Sequence, residues 1–143
     1  MVQSCKHVFR KNERLRLRKD IEDVMQNGKK FLSYPFFVNY VIKNKDRQNS
    51  ETTKIAISVA KRNFKKAVDR NLLKRRIREA YRQHKHNLNA TARNSNKVIN
   101  AIIVYVPKEK LSYEEIKKGI IRSMEKLAKN IENHNDISIH IAD

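Results

Sequence analysis

The segment Val98 to Val106, VINAIIVYV, is apolar at both parities of a strand. Successive strand side chains point to opposite faces, so such a run needs a cover on each side. It predicts a central strand, ended by Pro107, in a sheet with packed layers above and below. The chain of 143 residues is long enough for one domain with one core. At 39% hydrophobic residues it is too apolar for a basic tail that stays disordered throughout.

The other elements follow from periodicity. Leu17, Ile21, Val24 and Met25 repeat at helical spacing, and Gly28 stops that helix. Phe31 to Ile42 is expected to be a strand region entered at Pro35, with Phe36, Val38, Tyr40 and Ile42 on one side and Phe37, Asn39 and Val41 on the other. Lys43 to Thr53 is expected to be a polar hairpin loop leading into a second strand, Lys54 to Ala60. That strand has an apolar face (Ile55, Ile57, Val59) and a face of small residues (Ala56, Ser58, Ala60), open to a ligand or to a close-packed helix. A long amphipathic helix is expected from Asp69, as N-cap, to about Lys85, with Glu79 pairing Arg75 or Arg76 within it. Residues 87–96 are expected to be a polar loop. Ser112 and Glu115 form a capping box for a last helix running to about Ile131, with Ile116, Ile120, Met124, Leu127 and Ile131 facing the core. The order helix, strand, strand, helix, strand, helix predicts a small single-domain α/β (α+β) sandwich with helices packed on a central sheet. Residues 15–133 form the domain, 1–14 a flexible basic arm, and 134–143 a tail whose alternating ISIHIA could add a short edge strand.

The charge is far from balanced. Thirty-three Lys and Arg against 15 Asp and Glu give +18. Residues 1–19 carry a net +6 and residues 61–86 a net +9, whereas 108–132 mixes its signs. Concentrated blocks of one sign mark a binding footprint for a polyanion. On the long helix, Leu73, Ile77, Ala80 and His84 make the docking stripe. Asn71, Lys74, Arg75, Arg78, Arg82 and Lys85 fill an arc of roughly 100° on the opposite side. Neighbouring like charges on a helix repel, and phosphate binding compensates that cost.

Other chemistries find little support. One Cys excludes an internal disulfide framework and fits a reducing, cytoplasmic setting. It sits at Cys5, in the arm, with no base near it in sequence. No apolar run is long enough to span a membrane, and the N-terminus lacks the apolar core of a secretory signal. The five His are scattered, and two Gly make no phosphate-binding loop. Asp20, Glu22 and Asp23 cluster on the first helix, where hydrated Mg²⁺ and dipole stabilisation are both open readings. No protein-based catalytic constellation stands out.

The stretch Ile57 to Arg82, ISVAKRNFKKAVDRNLLKRRIREAYR, resembles the protein component of bacterial ribonuclease P. The match runs through Ser58, Val59, Lys61 and Arg62, then Ala67, Val68, Arg70, Asn71, Lys74, Arg75, Arg78 and Glu79. The helix ending at Gly28, the F-V-x-Y strand (Phe37, Val38, Tyr40) and the late L-S-Y-E-E (Leu111 to Glu115) extend it over roughly residues 15–130. Three positions depart from that pattern. Leu72 stands where the motif carries Arg, with Arg76 offering charge from another azimuth. The turn RNFKK lacks a Gly and is one residue longer. Ile21 and Met25 stand at often aromatic positions, leaving apolar contact rather than stacking.

The resemblance implies a two-surface RNA binder. Arg70, Asn71, Lys74, Arg75 and Arg78 would hold the catalytic RNA through phosphate contacts. Ile21, Met25, Phe36, Val38, Tyr40, Ser58 and Ala60, rimmed by Lys61 and Arg62, would hold the single-stranded 5′ leader of precursor tRNA. Hydrolysis would belong to the RNA and its Mg²⁺, with no cofactor bound by the protein alone, no obligate protein partner and no membrane. A structural rRNA-binding ribosomal protein is the alternative, since composition alone suits both. A helix-turn-helix DNA reader fails on element order, because the basic helix follows a strand.

Overall fold

The computed structural model describes residues 11–44 and 53–142, the last stretch, 134–142, as backbone only. After a 3-10 turn at Lys11–Glu13 come α1 (Arg18–Asn27), β1 (Lys29–Ser33), β2 (Phe36–Asn44) and β3 (Lys54–Val59). They are followed by α2 (Ala67–His84), α3 (His86–Asn94), β4 (Lys97–Tyr105) and α4 (Tyr113–Ala142). The sheet order is β1-β2-β4-β3. Strand β4 is antiparallel to β2 and parallel to β3, and it is buried at every position except Lys97 and Val104. The doubly apolar run is thus an inner strand covered on both faces, as its sequence requires.

Register fixes which residues share a face. Phe36 pairs with Tyr105, Val38 with Ile103, Tyr40 with Ala101 and Ile55 with Ala101. These side chains, with Ile57, Val59 and Ile99, form the floor of the main core. Leu73, Ile77, Leu88, Ile116, Ile120 and Leu127 from α2, α3 and α4 close over them. Each fully buried Leu or Ile contributes about 1.5–3 kcal/mol. The opposite face carries Phe37, Asn39, Val41, Ala56, Ser58, Ile102 and Val104, and its cover is much thinner. Among the described residues only α1 crosses it, packing Val24 and Ile21 against Ile102, Val41, Ala56 and Val104, with Leu15 alongside.

Two glycines permit close approaches. The Gly28 N–H bonds to the Val24 carbonyl at 3.0 Å as α1 ends. A Cβ there would lie 2.2 Å from that carbonyl oxygen and 3.0 Å from that of Tyr40. Gly119 lets α4 sit directly on the β1–β2 turn, where a Cβ would meet Pro35 Cδ at 2.3 Å. At the start of α4 the hydroxyl limb of the capping box forms: Ser112 Oγ accepts the Glu115 N–H at 3.3 Å and donates to Glu115 Oε1 at 3.2 Å.

Six expectations need correction. The single strand region breaks at the cis Tyr34–Pro35 bond into β1 and β2, so Pro35 lies in a turn. Strands β2 and β3 do not form a hairpin, because β4 inserts between them and supplies the more apolar partner to both. Residues 86–94 form a helix despite three Asn. Leu88 and Ala92, four apart, bury on the core, and tertiary packing outweighs weak propensity. Helix α2 begins at Ala67 with Lys66 as N-cap, which places Asp69 in the first turn, 3.2 Å from Lys110 Nζ. Glu79 pairs forward with Arg82 at 2.6 Å, and that hydrogen bond lowers its carboxyl from the usual carboxylate range. The backbone of 134–142 continues α4 instead of forming an edge strand, since extending a formed helix avoids a new nucleation step. Residues 1–10 of the expected arm, and 45–52 of the expected loop, lie outside the described residues.

Ala is ordinarily the better helix former by about 1 kcal/mol. At position 119 the sign inverts. Gly119→Ala is expected to lower the unfolding free energy by about 1–3 kcal/mol in a chemical denaturation curve, through overpacking against Pro35 and Phe36. A stabilised variant would mean that α4 does not seat on the turn as described.

Candidate nucleic-acid interface

Two surfaces gather the candidate residues. The first is the outer side of α2. Burial of Leu73, Ile77, Ala80 and Tyr81 orients the helix and turns Asn71, Arg75 and Arg78 to solvent, with Lys74 half-buried beside them. Lys74, Arg75 and Arg78 make no ion pair among the described residues, so their charge is available to a ligand. Arg70 is placed differently. Its Nη1 donates to the carbonyls of Phe64 at 2.7 Å and Lys65 at 2.9 Å, tying the start of α2 to the preceding turn. Arg76 leaves the outer face too, donating to the Leu111 carbonyl at 2.8 Å. It therefore does not replace the charge missing at Leu72.

Lys85 is not part of this cationic arc. It is buried and pairs with Glu13 at 2.6 Å. The chain then runs beside β3, with the Leu15 N–H bonding the Ile55 carbonyl at 3.1 Å. Residues 11–15 are consequently docked, where the sequence suggested a free arm up to residue 14. The pair also borders Tyr81, whose hydroxyl is pushed to higher pKa by burial and then by the Glu13 carboxylate.

The second surface is the thinly covered face of the sheet. Beyond α1, a depression of about 330 Å³ is lined by Leu32, Phe37, Ala60, Arg62, Val104 and Val106, among others. Ser58 shares this face with Phe37 and Val104 through the β4 register. Lys61 and Arg62 are exposed, and Arg62 lies at its end beside Lys108. On the α1 side, Ile21 packs against the sheet while Met25 is 53% exposed and accepts a long hydrogen bond from Asn39 Nδ2, at 3.8 Å to its sulfur. A larger cavity, about 660 Å³, lies between the end of α2 and α4, lined by His84, Ile121 and Met124 among others, and takes none of the candidate residues.

Met25 lies against Asn39 and Lys61 is exposed next to Ala60, whereas Ala60 and Arg62 meet at the depression beyond α1 and Ser58 and Ile21 share its sheet face beside Val104. Phe36, Val38 and Tyr40 do not join them. They point to the other face and are buried in the main core, where Tyr40 also accepts a hydrogen bond from Asn130 at 3.0 Å. The strand parity chosen from the F-V-x-Y pattern was the core parity. The cleft side of β2 carries the alternate set, of which Phe37 lines the depression with Val104 and Asn39 is buried against Met25. The signal for it was Asn39, the polar residue that interrupts an otherwise apolar strand and so marks the more open face. The acidic cluster of α1 does not converge. Glu22 bonds Arg18 at 3.1 Å, while Asp23 accepts from Asn27 at 2.8 Å and lies below the usual carboxylate range through that bond.

A small α+β domain with a bare cationic helix and a cation-rimmed apolar cleft defines an RNA-binding protein of the single-domain type. The family model described as Ribonuclease P matches residues 9–131. The ribonuclease P protein component of Porphyromonas gingivalis is 34% identical over 85% of this chain and 87% of its own. That of Petrotoga mobilis is 32% identical over 83% of this chain and 94% of its own. The ribonuclease P protein from Thermotoga maritima shares the fold, with a TM-score of 0.62 at 24% identity over 80% of this chain and 96% of its own. The chain belongs to the ribonuclease P protein family. It is the protein component of that ribonucleoprotein endoribonuclease and works with its RNA. The alternative of a ribosomal protein finds no support in these matches.

Removing one partner of a buried ion pair costs about 3–5 kcal/mol, because the other charge is stranded. Glu13→Leu is expected to destabilise by that amount in denaturant titration. Adding Lys85→Met should recover part of the loss, since the buried ammonium is then gone too.

Proposed function

We propose that this protein holds the catalytic RNA on the outer face of α2 and the single-stranded 5′ leader of precursor tRNA in the cleft, so promoting 5′-end maturation. The observation that carries the reading is the half-bare sheet face. Phe37, Val104 and Val106 give an apolar floor, and Arg62 and Lys108 stand at its rim. Single strands are bound by such platforms, through base stacking on apolar side chains and backbone contact with flanking cations. Lys74, Arg75 and Arg78 supply sequence-independent phosphate contacts. In this reading hydrolysis is performed by the RNA with its Mg²⁺, the protein binds no cofactor alone, and the setting is cytoplasmic. Among the described residues no helix is long and apolar enough to cross a membrane.

The direct test mixes purified protein with a bacterial ribonuclease P RNA and a precursor tRNA at low Mg²⁺ and follows leader release. Cleavage is expected to require both components, and an RNA that cleaves equally well without the protein would overturn the reading. Lys74→Gln with Arg78→Gln should weaken catalytic-RNA binding and flatten its salt dependence by about one unit per lost phosphate contact. An unchanged slope would remove α2 from that interface. Phe37→Ala should cost about 1–3 kcal/mol of affinity for precursor tRNA and little for mature tRNA. Equal losses for both would place the leader elsewhere.

A further inference from the structure

A second group of cations lies at the far edge of the sheet from α2. On α4, Lys118, Arg122, Lys126 and Lys129 fall within an arc of about 80°, three of them four residues apart, a spacing that is repulsive on a helix. All four are exposed, and none forms an ion pair among the described residues. Arg122 Nη2 donates to the Tyr34 carbonyl at 2.9 Å, and Lys126 Nζ sits 4.9 Å above the centre of the Phe31 ring. Arg122 and Lys126 thus reach β1 and its turn, where Tyr34 is 55% exposed, while Lys126 and Lys129 also border the cavity beside His84. Gly119 makes this arrangement possible by letting α4 rest on the turn that carries Tyr34.

The corner is continuous with the cleft. Leu32, 59% exposed, lines the depression two residues before Tyr34, and the Val106 N–H of the cleft wall bonds the Pro35 carbonyl of the same turn at 3.0 Å. An exposed tyrosine on a turn held by Arg122, next to cations that form no ion pair among the described residues and at the edge of a single-strand cleft, has the composition of a single-strand platform.

We propose that the corner formed by Tyr34, Lys118, Arg122 and Lys126 extends the leader path, taking nucleotides that emerge from the cleft over Leu32. This inference rests on the leader reading of the cleft. Its consequence is a length dependence: the protein binds precursors with long leaders more tightly than those whose leaders end inside the cleft.

The experiment uses the assembled ribonucleoprotein and precursors with leaders of about 4 and about 16 nucleotides, the span of single-strand sites of this kind. Tyr34→Ala is expected to weaken binding of the long-leader precursor about tenfold and to leave the short one unchanged. Lys118→Gln with Lys126→Gln, both at exposed positions, should lower the salt slope for the long leader alone by about 0.7 per lost contact. Equal effects on both lengths, or none on either, would overturn the proposal. If Phe37→Ala also spared both precursors, the cleft reading would fail first, whereas a Phe37 effect without a Tyr34 or lysine effect would defeat the extension alone.

Discussion

Strand β4 cannot be left with either face in water, and most of the molecule follows from that requirement. One face takes three helices and a dense core. The other needs only enough cover to protect Ile102 and its neighbours, and the ten-residue α1 supplies it. A short helix over a nine-residue strand leaves part of the sheet uncovered. The cleft is therefore a by-product of unequal layers: the thick layer stabilises the fold, and the thin one leaves Phe37, Ser58 and Val104 within reach of a ligand.

The charge distribution obeys the same division. Cations that are paired or folded back serve the structure: Lys85 on Glu13, Arg82 on Glu79, Arg70 and Arg76 on backbone carbonyls. What remains on α2 is a cluster with no ion pair among the described residues, which the fold tolerates at a cost in repulsion and which a polyanion offsets. Formal charge thus overstates the interface, and the useful quantity is the charge left after the internal partners have been assigned.

The sequence revealed the layers more readily than the parity of their strands. The doubly apolar run, the Gly28 stop, the Ser112–Glu115 cap and the α2 stripe were all legible, because each depends on neighbours close in sequence. The face of β2 that opens to the cleft was not. Alternation shows that two faces differ, but which one meets the thicker layer depends on the β2–β4 register, a long-range property. The same limit hid the insertion of β4 between β2 and β3, and the burial of Lys85, whose partner lies 72 residues away. Helix α3 was missed for a local reason, since its Asn-rich stretch has weak propensity and only Leu88 and Ala92 to anchor it.

The docking of residues 11–15 also bears on solubility. An open sheet exposes two edges, and a bare edge is a template for pairing with another chain. Here the β3 edge is occupied at Ile55 by the bridge to Arg14, and the β1 edge is five residues long and begins with Lys29 and Lys30. One edge is blocked by the protein's own chain and the other is short and charged. Both features disfavour edge-to-edge pairing between copies of the chain.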